Sequence, residues 1–285
     1  MIDVDPGDRP TEYSALTLRH LHTRLKTYTE CGDRRAVFLH AYSIVTRNML
    51  TALERQASGK EQVFLDPDWV CSLLNRFADL YFDALDDFEE TGSCSLPWER
   101  AHKLALSGTT TVVEDLLLGI NAHINFDLPQ ALYRTMVEFG DERNALGLWR
   151  RKFDHDKINA VLRTSIEEIA SSISEQHGGM IAFLDRVMGR WDERVARFGV
   201  EHFREKTFDR ACQLLAARTE SEKILVQSQL QVEAGEVVDV ILKLRRFGGG
   251  LFHRIQCKTR KRALCIDLQI LLPEVANEQR LETMA

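Results

Sequence analysis

Apolar residues along most of this chain recur every three or four positions, and prolines stand at the edges of those runs. The pattern predicts long helices joined by short turns. Val37, Ala41, Ile44 and Val45 form one stripe, with His40 at its border, in a helix over roughly 34–56 whose expected N-cap is Asp33. Asp66-Pro67-Asp68 opens the next helix, in which Val70, Leu73, Leu74, Phe77 and Leu80 recur at helical spacing and which is expected to fray near Asp86 to Gly92. A loop through Ser93 to Pro97 leads to a short helix from Trp98. Thr109-Thr110-Thr111 then offers capping hydroxyls for an apolar helix over 111–128, which Pro129 kinks or restarts.

The firmest helical signal follows, where Ile158, Val161, Leu162, Ile166, Ile169 and Ile173 step by three or four. Gly178-Gly179 interrupts it, Ile181 to Phe198 resumes it, and Gly199 is expected to separate a further helix over about 200–217. The stretch 221–244 reads as helix. Leu264, Ile266, Leu268, Ile270 and Leu272 alternate with period two, so 251–272 stays open and a small hairpin around Gly248-Gly249-Gly250 is an alternative. The expected fold is all-α: a single multi-helix bundle-like domain. Its organisation would be a flexible N-terminus over 1–11, a helical domain over 12–220, and a C-terminal extension over 221–285.

Composition narrows the function classes. With 285 residues, 44 % hydrophobic and 28 % charged, the chain can bury a substantial core and is not of the disordered class. A formal net charge of -6 gives no overall footprint for nucleic acid or an anionic membrane. No uncharged apolar run approaches the roughly 18 residues of a spanning helix, and Met1 to Thr11 lacks the pattern of a secretory signal. The six cysteines include no C-x-x-C pair and read as reduced thiols, so the cytoplasm is the expected location. The single basic stretch runs from Lys243 to Arg262 with no acid in it; it reads as solvated surface or as a grip for an acidic partner.

The candidate chemistry centres on Asn121-Ala122-His123-Ile124-Asn125-Phe126-Asp127-Leu128-Pro129, four polar groups crowded at the end of an apolar helix. His123 and Asp127 stand at i and i+4 and share one face; Asn121 and Asn125 make a second such pair. His123 and Asp127 could hold one divalent metal, or Asp127 could orient His123 as a general base acting on a small-molecule substrate. Asp154, ahead of Asn159, is a further metal-ligand candidate, with an N-cap or first-turn role as its plain alternative. His40 and Arg204 are candidate substrate-binding residues, each with a satisfied core or salt-bridge role as the simpler explanation.

Two other patterns carry less weight. Asp86-Asp87-Phe88-Glu89-Glu90 has the D-D-x-x-E order of helical terpene cyclases, but no second magnesium-binding motif accompanies it. Glu99-Arg100-Ala101-His102 is the only E-x-x-H, whereas a di-iron carboxylate bundle needs two. Two readings of the main motif stay open: a helical enzyme, with metal-assisted hydrolysis as its most concrete reaction class, and a noncatalytic binding or scaffold protein in which the motif is a structural polar knot.

The run from Leu116 to Pro129 resembles the main motif of an uncharacterised bacterial family, domain of unknown function 5995. Phe77-Ala78, Tyr81-Phe82, Ala84-Leu85, Trp98, Asp154 with Asn159, and Arg204 with Phe208 and Ala211 follow the same family order, with Phe208 where the family pattern has tryptophan. The likeness spans about 35–220. It implies a mostly helical fold and weight on Asn121, His123, Asn125 and Asp127, and no particular reaction. His123, Asp127 and Pro129 also resemble a fragment of zinc-dependent phospholipase C, although the further histidines of those sites are not evident at matching spacings.

Overall fold

A computed structural model describes residues 10–141, 145–176 and 193–247. All regular elements among them are helical: α1 (Pro10–Glu30), α2 (Ala36–Ala57), α3 (Pro67–Thr91), α4 (Leu96–Ser107), α5 (Val112–Asn121), a π-helical segment (Ala122–Asp127), α6 (Leu128–Glu138), α7 (Ala145–Gln176), α8 (Glu193–Ala216) and α9 (Glu220–Phe247). None is long and apolar enough to cross a membrane.

Local sequence explains most boundaries. The Asp66 side chain accepts from the Trp69 backbone N–H and Pro67 occupies the first turn of α3. Thr111 caps α5 in a reciprocal box, its hydroxyl accepting from Glu114 N–H at 3.2 Å while the Glu114 carboxylate accepts from Thr111 N–H at 2.6 Å. Asp33 does not cap α2 directly. It accepts from the Arg35 backbone N–H and braces the Arg35 guanidinium, and the helix begins one turn later at Ala36.

Several expectations are corrected. The end of α3 does not fray at Asp86: the helix continues to Thr91 and closes on Gly92 at φ 74°. Arg24 of α1 pairs with Asp86 and Glu89, and Tyr28 of the same helix donates to Glu89, so α1 holds that end. Gly199 does not interrupt α8, which runs through it; one interior glycine costs a helix only about 1 kcal/mol. Beyond residue 220, Leu230, Ala234, Val238 and Ile241 of α9 are buried in apolar clusters with residues of the preceding helices. Gly178-Gly179, the possible hairpin and the basic stretch beyond residue 247 lie outside the described residues.

Two apolar clusters make up most of the interior. One gathers Leu21, Leu25, Leu39, Leu85 and Leu118 from α1, α2, α3 and α5, with Val238 of α9. The other gathers Met49, Leu53, Trp69, Leu132, Ile158 and Phe208 from α2, α3, α6, α7 and α8. The π-helical segment joins them: Ala122 belongs to the first, Leu128 immediately after the segment belongs to the second, and Phe126 packs on Leu214, Leu230 and Ala234 in a third.

Helices α2 and α5 approach closely because residue 119 has no side chain. A methyl group there would overlap the Phe38 ring. Gly119→Ala should therefore lower stability to urea by about 1–3 kcal/mol, the usual cost of overpacking, despite alanine's better helix propensity. Unchanged or higher stability would show that the Phe38 ring yields freely.

Candidate functional site

The opening of the site follows from Pro129. In an unbroken α-helix its ring would clash with the Asn125 carbonyl, and it has no N–H to donate. Over Ala122–Asp127 the turns widen to π geometry, with Leu128 N–H bonded to the His123 carbonyl, before α6 resumes at Leu128. The Gln130 side chain donates to the Phe126 carbonyl at 2.9 Å. The sequence-level alternatives of a kink or restart thus resolve into one wide turn that keeps the chain helical.

Within that turn His123 Nδ1 lies 3.0 Å from Asp127 Oδ2, and the same oxygen accepts from the Trp98 indole N–H at 2.7 Å. The two side chains are 4 % and 2 % exposed. Phe77 stacks on the His123 ring with centroids 3.4 Å apart, and Phe38, Tyr42, Tyr81 and Trp98 approach it within 6.0 Å. His123 Nε2 is buried without a hydrogen-bond partner. Burial holds the His123 ring well below the usual histidine range and pushes the Asp127 carboxyl well above the usual carboxylate range, the Trp98 bond opposing the second shift. Both directions favour a pair that carries little net charge in this apolar surrounding.

The asparagines do different work. Asn125 donates to Asn121 Oδ1 at 2.8 Å, and Asn121 donates to the Ala234 carbonyl of α9 at 2.9 Å. Both pairs expected from i, i+4 spacing are formed, but the second ties a distant helix and not the backbone that Pro129 frees. Arg100 adds a bond to the neighbouring Gly235 carbonyl and an ion pair with Asp239.

The second-rank residues stand elsewhere. Asp154 is fully buried in the interior of α7, where its carboxylate accepts from Leu65 and Asp66 N–H at 2.7 and 2.9 Å, closing the turn before α3. It is neither an N-cap nor a neighbour of His123, since Asp66 and Phe77 are roughly 16 Å apart along α3. Arg204 is buried and ties α8 to α7 through Asn159 Oδ1 at 2.7 Å and the His155 carbonyl at 2.8 Å; burial pulls its pKa down to about 10. His40 Nε2 meets Ser172 Oγ of α7 at 2.9 Å. Of α2, it is Phe38 and Tyr42 that reach His123. Asp86 is paired with Arg24, Glu99 bonds Lys103 and Ser93, and His102 is buried against Trp98 and Phe88.

The expected metal set of His123, Asp127 and Asp154 is therefore not brought together. Among the described residues, no group of three or more His, Cys, Asp or Glu side chains is placed to hold an ion. His123 Nδ1 is engaged with an Asp127 oxygen that already accepts a second bond from Trp98. The participants that i, i+4 spacing misses are the aromatic rings and, above all, the Trp98 N–H. Its signal was present, because a buried tryptophan needs an acceptor, but the acceptor is 29 positions away.

A family of unknown function, DUF5995, matches this chain over residues 15–244, a wider span than the motif resemblance alone implied, reaching into α1 and along α9. No curated protein and no solved structure matches it. Of the resembling residues, Phe77, Tyr81 and Trp98 surround His123, while Asn159 and Arg204 bond each other.

The buried histidines set a pH dependence. Burial pulls His155 down to about 3, whereas an unfolded histidine titrates near 6.5. The unfolded chain then binds the proton first, so acidification below about pH 6.5 removes stability until the folded pKa is reached. His123 and His102 act in the same direction, and the raised Asp127 carboxyl acts in the opposite one. Between pH 7.5 and 5.5, His155→Phe should lose about 1.4 kcal/mol less stability to urea than the wild type. Equal losses would mean that His155 is not held neutral.

Proposed function

This chain belongs to the DUF5995 family, and from that premise we propose that it is a noncatalytic helical binding or scaffold protein whose family motif is a structural polar knot. The observation that carries the reading is the enclosure of His123 by Phe77 and four further rings, with Nδ1 spent on Asp127. A general base must come within about 3 Å of the proton it removes, directly or through one water. Here the only ring nitrogen left for that task is sealed among aromatic side chains. The pair instead links elements: Asp127 holds α4 through Trp98, and Asn121 holds α9 through Ala234.

Diethyl pyrocarbonate, which acylates accessible neutral imidazoles, tests the enclosure. Modification of His123, mapped by mass spectrometry, is expected to proceed no faster than global unfolding, while partly exposed His22 reacts readily. Rapid modification of His123 in the native protein would support an open catalytic site and overturn the knot.

A further inference from the structure

Three rings near His123 also line a second feature. Phe38, Tyr81 and Trp98 form the apolar floor of a cavity of about 20 Å³, whose polar wall is Arg34, Arg35, His102 and Asp115. A space of this size admits one atom of water or ion dimensions.

The polar wall is asymmetric in what it leaves unsatisfied. Arg34 gives its Nη2 to Asp115, and Thr110 donates its hydroxyl to the same carboxyl group, so the one acid present is already engaged. Arg35 is committed to Asp33 and Glu89. Arg34 Nε and His102 Nε2 are buried without a hydrogen-bond partner, as is Arg35 Nη1, which has only its ion pair to Glu89 at 3.2 Å. Arg34 Nε always carries hydrogen, and His102 Nε2 does so in one of its two neutral tautomers. His102 is 3 % exposed, and its pKa is pulled down to about 3 by burial and next by the Arg35 charge, with the Glu89 carboxylate opposing, so it is neutral here. Such a buried donor costs about 1–3 kcal/mol if nothing accepts from it. Two buried donors on residues that line one cavity over an apolar floor match a ligand that only accepts.

We propose that this cavity binds a small monovalent anion, which enters with one acceptor atom between Arg34 Nε and His102 Nε2. The acceptor is a chloride ion or the oxygen of a carboxylate no larger than formate. The site is separate from the polar knot but shares Trp98 with it: one face of the indole stacks on His102 at 5.3 Å, while its N–H holds Asp127.

Chloride-35 NMR tests this on the full chain. The wild type should broaden the chloride resonance beyond buffer alone. His102→Phe, which keeps the ring stack and loses Nε2, and Arg34→Lys, which loses Nε, should each bind about tenfold more weakly, as expected for one hydrogen bond to a charged group. Circular dichroism checks that both variants remain folded. Formate that displaces chloride assigns the site to carboxylates as well; formate that does not restricts it to halide. Absence of excess broadening in the wild type would overturn the proposal regardless of the variants, as would broadening unchanged in two folded variants.

Discussion

The Asp127 carboxyl is the group on which the rest of this structure depends. It is 2 % exposed, and its Oδ2 takes bonds from the Trp98 indole and the His123 ring. Leaving a buried polar group without its hydrogen-bond partner costs about 1–3 kcal/mol, so each donor is held in place by the need of the acceptor. Trp98 fixes α4. His123, held by the same oxygen, gives Phe38, Tyr42, Phe77 and Tyr81 a flat polar ring to pack around. Two helices on either side of that ring, α2 and α3, thereby acquire a common contact that leucine packing alone would not specify.

Pro129 determines where this can happen. By forcing the preceding turn to widen, it offsets the register of α5 from that of α6, and the segment can serve two clusters that a straight helix would present on one stripe. π-Turns occur often at functional sites, which makes a catalytic reading natural from the motif alone. In this chain Ala122 and Phe126 of the widened turn and Leu128 just after it pack in three clusters, and Asn121 secures α9.

What the sequence made legible was local. The capping hydroxyl at Thr111, Asp66 with Pro67, and the two i, i+4 pairs of the motif depend on neighbours within four residues, and all formed as their spacing implies. Contacts at long separation were not legible. Asp154 resembles a helix-start acid until residues 65 and 66, nearly 90 positions earlier, are seen donating to it. Helix α1 escaped the periodic pattern because its buried face carries Ser14, Thr17 and Tyr28 among its leucines. Ser14 there is bonded to Asn75. Polar residues on an inward face dilute the period that marks a helix. The aromatic enclosure of His123 draws on three helices, and only their packing decides that a histidine able to act as a base is instead sealed.

The bond between Trp98 and Asp127 is expected to open only when the whole body opens. Hydrogen exchange of the Trp98 indole N–H, followed by NMR under native conditions, measures this directly. Its exchange free energy is expected to equal the global unfolding free energy from urea titration on the same protein. An indole proton that exchanges with a free energy several kcal/mol lower would show that α4 detaches locally, and would contradict the claim that this buried carboxyl holds the fold together.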